Sequence, residues 1–120
     1  MYGEISTEKL IEKAISLKLE TEWPELGRIL NVLHHRLRPK NFVNVRTACE
    51  ISERTAFYLM SIVRRIDGRG IDLGEGLPWR KVAVIAPLLS KLATDQECVA
   101  LLQQVPIMLH EELAALAKGR

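Results

Sequence analysis

An all-α fold of six or seven helices, with a central helix-turn-helix and a C-terminal helical part, is predicted by three features of this 120-residue chain. Aromatic residues make up only 5% of it, so a core drawn from its 48% hydrophobic content is built of Leu, Ile, Val and Ala. Apolar residues recur at helical spacing through most of the sequence. No segment alternates apolar and polar residues between turn signals as a half-buried strand does. The length suffices for one domain with one core, and the hydrophobic content favours a folded globule over a disordered chain.

The first helix is expected to begin after Ser6 or Thr7, since either hydroxyl can cap an amide. Leu10, Ile11, Ala14, Ile15 and Leu17 give it an apolar face, and the polar stretch Glu20-Thr21-Glu22 ends it. The second opens at Trp23-Pro24, with Pro24 suited to the first helical position. Its buried stripe is Leu26, Ile29, Leu30, Leu33 and Leu37, and Pro39 stops it. His34, His35, Arg36 and Arg38 in its last turn either complement the helix dipole or form a basic patch that touches a nucleic-acid backbone. Residues 43–49 are read as a short third helix and 52–66 as a longer fourth.

Glycines at 68, 70, 74 and 76 then mark a loop, with no GxxxxGK[ST] spacing to make it a phosphate cradle. Pro78-Trp79 opens a fifth helix with Val82, Ile85, Ala86, Leu89 and Leu92 inward, and Pro87 is expected to kink or split it. Thr94-Asp95-Gln96-Glu97 matches a capping box at the start of a sixth helix, which runs through Val99, Leu101 and Leu102. Pro106 separates it from a last helix carrying Leu109, Leu113 and Leu116, which Gly119 ends. The expected organisation is residues 1–67 for the N-terminal helices and the helix-turn-helix, 68–77 for a linker, and 78–120 for the C-terminal part. Either two domains or one continuous domain accommodates this division.

Residues 43–66 carry the functional signal. Val45, Cys49, Ile51, Ala56, Leu59 and Val63 fit the inward positions of a helix-turn-helix. Two positions depart from the pattern: Glu50 stands where the turn usually has Gly, and Arg46 where the first helix usually has a small Ala. The Ile51-Ser52-Glu53-Arg54-Thr55-Ala56 run resembles the opening of many bacterial recognition helices, and Leu77-Pro78-Trp79 through Leu89 resembles a segment that follows such units in phage and plasmid proteins. Over roughly residues 40–116 the chain is thus similar to the ParB/KorB-type DNA-binding proteins.

That resemblance implies double-stranded DNA as partner and a regulator of a phage or mobile element. Glu53, Arg54, Phe57, Tyr58 and Ser61 would then read bases, with Arg54 suited to guanine O6 and N7 and an aromatic ring to a thymine methyl. Lys40, Arg46, Ser52, Arg64, Arg65 and Arg69 would contact phosphates. Such units commonly bind as dimers, and Leu109, Leu113 and Leu116 either form a homodimer surface or complete the core.

Charge placement agrees with this expectation. Residues 34–81 hold 10 basic and 5 acidic side chains, while the segments on either side are net acidic, within an overall +2. Other function classes find little. Cys49 and Cys98 have no CxxC spacing and read as two free buried thiols of a reducing cytoplasm. His110-Glu111-Glu112 lacks the HExxH spacing, and His34 and His35 have no carboxylate beside them, so no enzyme, metal or cofactor is expected. Met1-Tyr2-Gly3-Glu4 does not open a signal peptide, and no apolar run is long enough for a bilayer. The competing reading is a helical protein-interaction module that has kept the fold without binding DNA, for which Glu50 and Glu53 near the reading surface speak.

Overall fold

A computed structural model describes residues 2–68 and 77–118. Among them are seven α-helices and no strand: α1 (Thr7–Ser16), α2 (Leu19–Arg36), α3 (Pro39–Ala48), α4 (Glu53–Gly68), α5 (Trp79–Lys91), α6 (Asp95–Gln104) and α7 (His110–Lys118). The all-α expectation holds. The chain forms two compact units, Met1–Met60 and Ser61–Arg120, which divide within α4. Residues 69–76 of the linker expected at 68–77, with Arg69, and the expected stop at Gly119 lie outside the described residues.

In the first unit, Ser6 rather than Thr7 caps α1, its Oγ accepting from the Lys9 amide at 3.3 Å. Leu10 and Ala14 are buried, but Ile15 turns outward and is 48% exposed. Helix α2 starts earlier than Trp23, at Leu19, yet Glu22 leaves helical geometry at φ −118°, ψ 22°. Pro24 therefore sits just past a break in the ladder, where its missing N–H is cheap. Trp23, Leu26, Ile29, Leu30 and Leu33 are fully buried from this helix. Lys13 and Glu25 join α1 to α2 at 2.8 Å, and the Lys13 ammonium holds the Glu25 carboxyl below the usual carboxylate range. Arg36, at the end of α2, donates to the carbonyls of Ile5, Tyr2 and Gly3 at 2.7, 3.0 and 3.2 Å. Its guanidinium thus ties down the N-terminal segment.

Pro39 both follows one helix and begins the next. It is the first residue of α3, four positions before the start expected from the apolar pattern, and Arg38 before it is extended at φ −68°, ψ 153°. Phe42 and Val45 are the buried residues of α3, with Phe42 edge-on to His34 at 5.1 Å between ring centroids.

In the second unit, Ile62, Val63 and Ile66 of α4 are buried, as are Val82, Ile85, Ala86 and Leu89 of α5. Helix α5 packs against α7 and α6. Pro87 lies inside it without splitting it. The carbonyl that Pro87 cannot serve belongs to Ala83, and both residues are exposed, so water can satisfy it. Thr94 caps α6 as expected, its Oγ1 accepting from the Glu97 amide at 3.1 Å. Glu112 reaches back to the Leu109 amide at 3.0 Å. Leu113 is fully buried and completes the core, whereas Leu109 lies outside α7 and is 66% exposed. Both cysteines are free thiols: Cys98 is buried and Cys49 half-buried, and burial pushes both thiols above their usual range.

Candidate nucleic-acid interface

The turn between α3 and α4 is closed by backbone bonds. After Ala48 ends α3, the Glu50 amide donates to the Thr47 carbonyl at 3.0 Å and the Ile51 amide to the Arg46 carbonyl at 3.1 Å. This pairing requires a left-handed residue between the bonds, and Glu50 supplies it at φ 60°, alone among the described non-glycine residues. Ile51 and Val45, at the two positions whose apolar side chains commonly accompany such a terminus, are both buried. Ser52 then caps α4: its Oγ accepts from the Thr55 amide at 3.1 Å and donates to Thr55 Oγ1 at 3.0 Å. The residue at the glycine position of the motif therefore has the conformation that favours glycine there.

That geometry makes a test of the turn itself. A left-handed non-glycine residue costs about 1–2 kcal/mol, and glycine's extra freedom in the unfolded chain takes back about 0.5–1 kcal/mol. Glu50→Gly is expected to stabilise the protein by about 0.5–1 kcal/mol, and Glu50→Ala to give no such gain. Urea midpoints of the three proteins check this; a Glu50→Gly midpoint at or below that of the parent would contradict the turn.

Arg46 has a structural task that its position alone did not disclose. Its Nη1 donates to the Ile51 carbonyl at 3.1 Å, bracing the turn from within the first helix. Together with His34, Pro39, Phe42, Val43, Glu53, Ala56, Phe57 and Met60, it lines a groove of about 310 Å³. Val43 and Phe57 in this groove are 45% and 56% exposed. Val43 escaped the sequence reading because α3 was expected to begin there; a start at Pro39 puts Pro39, Val43 and Arg46 on one helix face.

The expected base-reading residues fall on both units. Glu53, Arg54 and Phe57 are exposed in the first, and half-buried Tyr58 lies edge-on to Phe57 at 5.7 Å. Ser61 is half-buried in the second unit. Of the expected phosphate contacts, Lys40 and Ser52 are exposed in the first unit and Arg64 in the second. Arg65 is half-buried, donating from Nη1 to the Thr94 carbonyl at 3.3 Å and lying 3.9 Å from Asp95. The cations thus divide by occupation. Arg36, Arg46 and Arg65 hold backbone carbonyls, whereas the side chains of Lys40 and Arg54 have no hydrogen-bond or ion-pair partner among the described residues.

No family model, curated protein or solved structure matches the chain in the three comparisons made. No helix among the described residues is long and apolar enough to cross a membrane. Nor do three or more His, Cys, Asp and Glu side chains gather there as metal ligands would.

Proposed function

We propose that the protein binds double-stranded DNA through α3, the turn and the start of α4, as a non-enzymatic regulator of a phage or mobile element. The observation that carries this reading is the turn: left-handed Glu50 and the Ser52 cap lead into a helix whose first residues expose Glu53, Arg54 and Phe57. A helix presented in this way can enter a major groove and meet base edges with its N-terminal residues. The excess of basic side chains in residues 34–81 supports it, with Lys40 and Arg54 unengaged among the described residues. The link to a phage or mobile element rests on the resemblance at residues 51–56 and 77–89. In this reading the protein works in the cytoplasm as a homodimer, with exposed Ile107 and Leu109 as its apolar contact.

Equilibrium binding to a random-sequence duplex across a series of salt concentrations tests the proposal. Affinity is expected to fall steeply with salt, and Lys40→Ala to reduce the log–log slope by about 0.9, the value for one lost phosphate contact. A folded protein that retains no DNA at low salt would overturn it.

A second reading is favoured by the groove. Exposed Val43 and Phe57 beside Phe42 and Met60 form an apolar surface of the kind a protein partner covers. That reading requires binding to survive high salt and to be lost with Phe57→Ala.

A further inference from the structure

Glu53 is the least expected side chain on a surface that approaches phosphates. It is the first residue of α4 and is exposed, and its carboxylate has no hydrogen-bond or ion-pair partner among the described residues. It therefore neither braces the turn, as Arg46 does, nor reaches back to cap the helix, as Glu112 does for α7. Its surroundings are also specific. Glu53 lines the groove with Phe57, one turn on along α4, and with Val43 from α3, whereas Arg54 is not part of that lining. Adjacent positions on a helix diverge by roughly 100°, so Glu53 and Arg54 point in different directions.

An ionised carboxylate only accepts hydrogen bonds. In the major groove guanine presents acceptors at N7 and O6, and thymine one at O4; both repel it. Adenine offers its N6 amino group but sets the N7 acceptor beside it. Cytosine's N4 amino donor has an acceptor on one side only, the O6 of its paired guanine, whereas adenine N6 lies between N7 and the thymine O4. We propose that Glu53 is a specificity-determining residue that selects a cytosine on one strand of the DNA site, beside the Val43–Phe57 apolar wall, which suits a thymine methyl at a neighbouring pair. This inference rests on the DNA-binding reading above. It also gives the negative charge a purpose: it opposes binding to duplexes that offer no amino donor at that position.

The test is selection from a pool of randomised duplexes by the parent protein and by Glu53→Gln. The substitution keeps size and removes charge at an exposed site, so the fold is retained. A glutamine amide donates and accepts at once and matches adenine N6 and N7. The parent is expected to enrich cytosine at one position, and Glu53→Gln to enrich adenine there, with a change in preference of about 5- to 150-fold, the range of one good base contact. Overall affinity for non-selected duplex should rise in the variant. Two proteins that select the same consensus would overturn the role of Glu53 while leaving DNA binding intact. A parent protein that retains no duplex above background would overturn both.

Discussion

Arg54→Ala is expected to lose sequence preference without losing the fold. Arg54 is exposed, is the second residue of α4, and has no side-chain partner among the described residues. Its removal leaves no cavity and no orphaned buried group, so stability should move by no more than about 0.5 kcal/mol. The small change should even be favourable, since a cation in the first turn opposes the helix dipole. A bidentate contact to guanine, by contrast, is worth about 1–3 kcal/mol of discrimination. Binding to a selected site should therefore weaken by roughly one to two orders of magnitude, while binding to non-selected duplex falls only by the loss of one charge. Fluorescence anisotropy on both duplexes, beside a urea melt of the variant, checks the separation. Equal losses on the two duplexes would make Arg54 a phosphate contact rather than a base contact.

Leu59→Ala is expected to do the reverse. Leu59 is fully buried on the inward face of α4, among the residues that a helix-turn-helix keeps apolar. Truncating a buried Leu costs about 2–5 kcal/mol, from the lost burial of its methyl groups and from the cavity they leave. Against a typical total of about 5–15 kcal/mol, this is a large fraction of the protein's stability. Thermal unfolding should show a clear drop, and DNA binding should fall with the folded fraction on selected and non-selected duplexes alike. A loss under about 1 kcal/mol would mean that the packing of α4 tolerates truncation at a position where buried Leu side chains do not.

The contrast between these two variants parallels what the sequence could disclose. Helix starts were legible where a hydroxyl or a proline fixes local geometry, as at Ser6, Pro78 and Thr94. The onset of α3 was not, because Pro39 ends the preceding segment by restricting Arg38 and also begins the next helix, and the pattern was read only for the first role. Pro87 does not split α5, and the carbonyl it leaves without a donor is that of Ala83, at the surface, where water can serve it. Side-chain tasks were the least legible. Arg36, Arg46 and Arg65 share a charge that the sequence reports, but their carbonyl acceptors are tens of residues away or across a turn, and only folding brings them together. The groove along α3 and α4 was hidden for the same reason, since it depends on the face that α3 acquires from a start at Pro39.

The most direct measurement of the central claim is a nuclear magnetic resonance titration of isotope-labelled protein with unlabelled duplex DNA, read as amide shift changes along the chain. Binding through α3, the turn and α4 is expected to move Lys40, Ser52, Glu53, Arg54 and Phe57 first and most, with Ile107 and Leu109 unaffected at low occupancy. Shifts centred on α6 and α7, or a spectrum unchanged at low salt, would contradict the account.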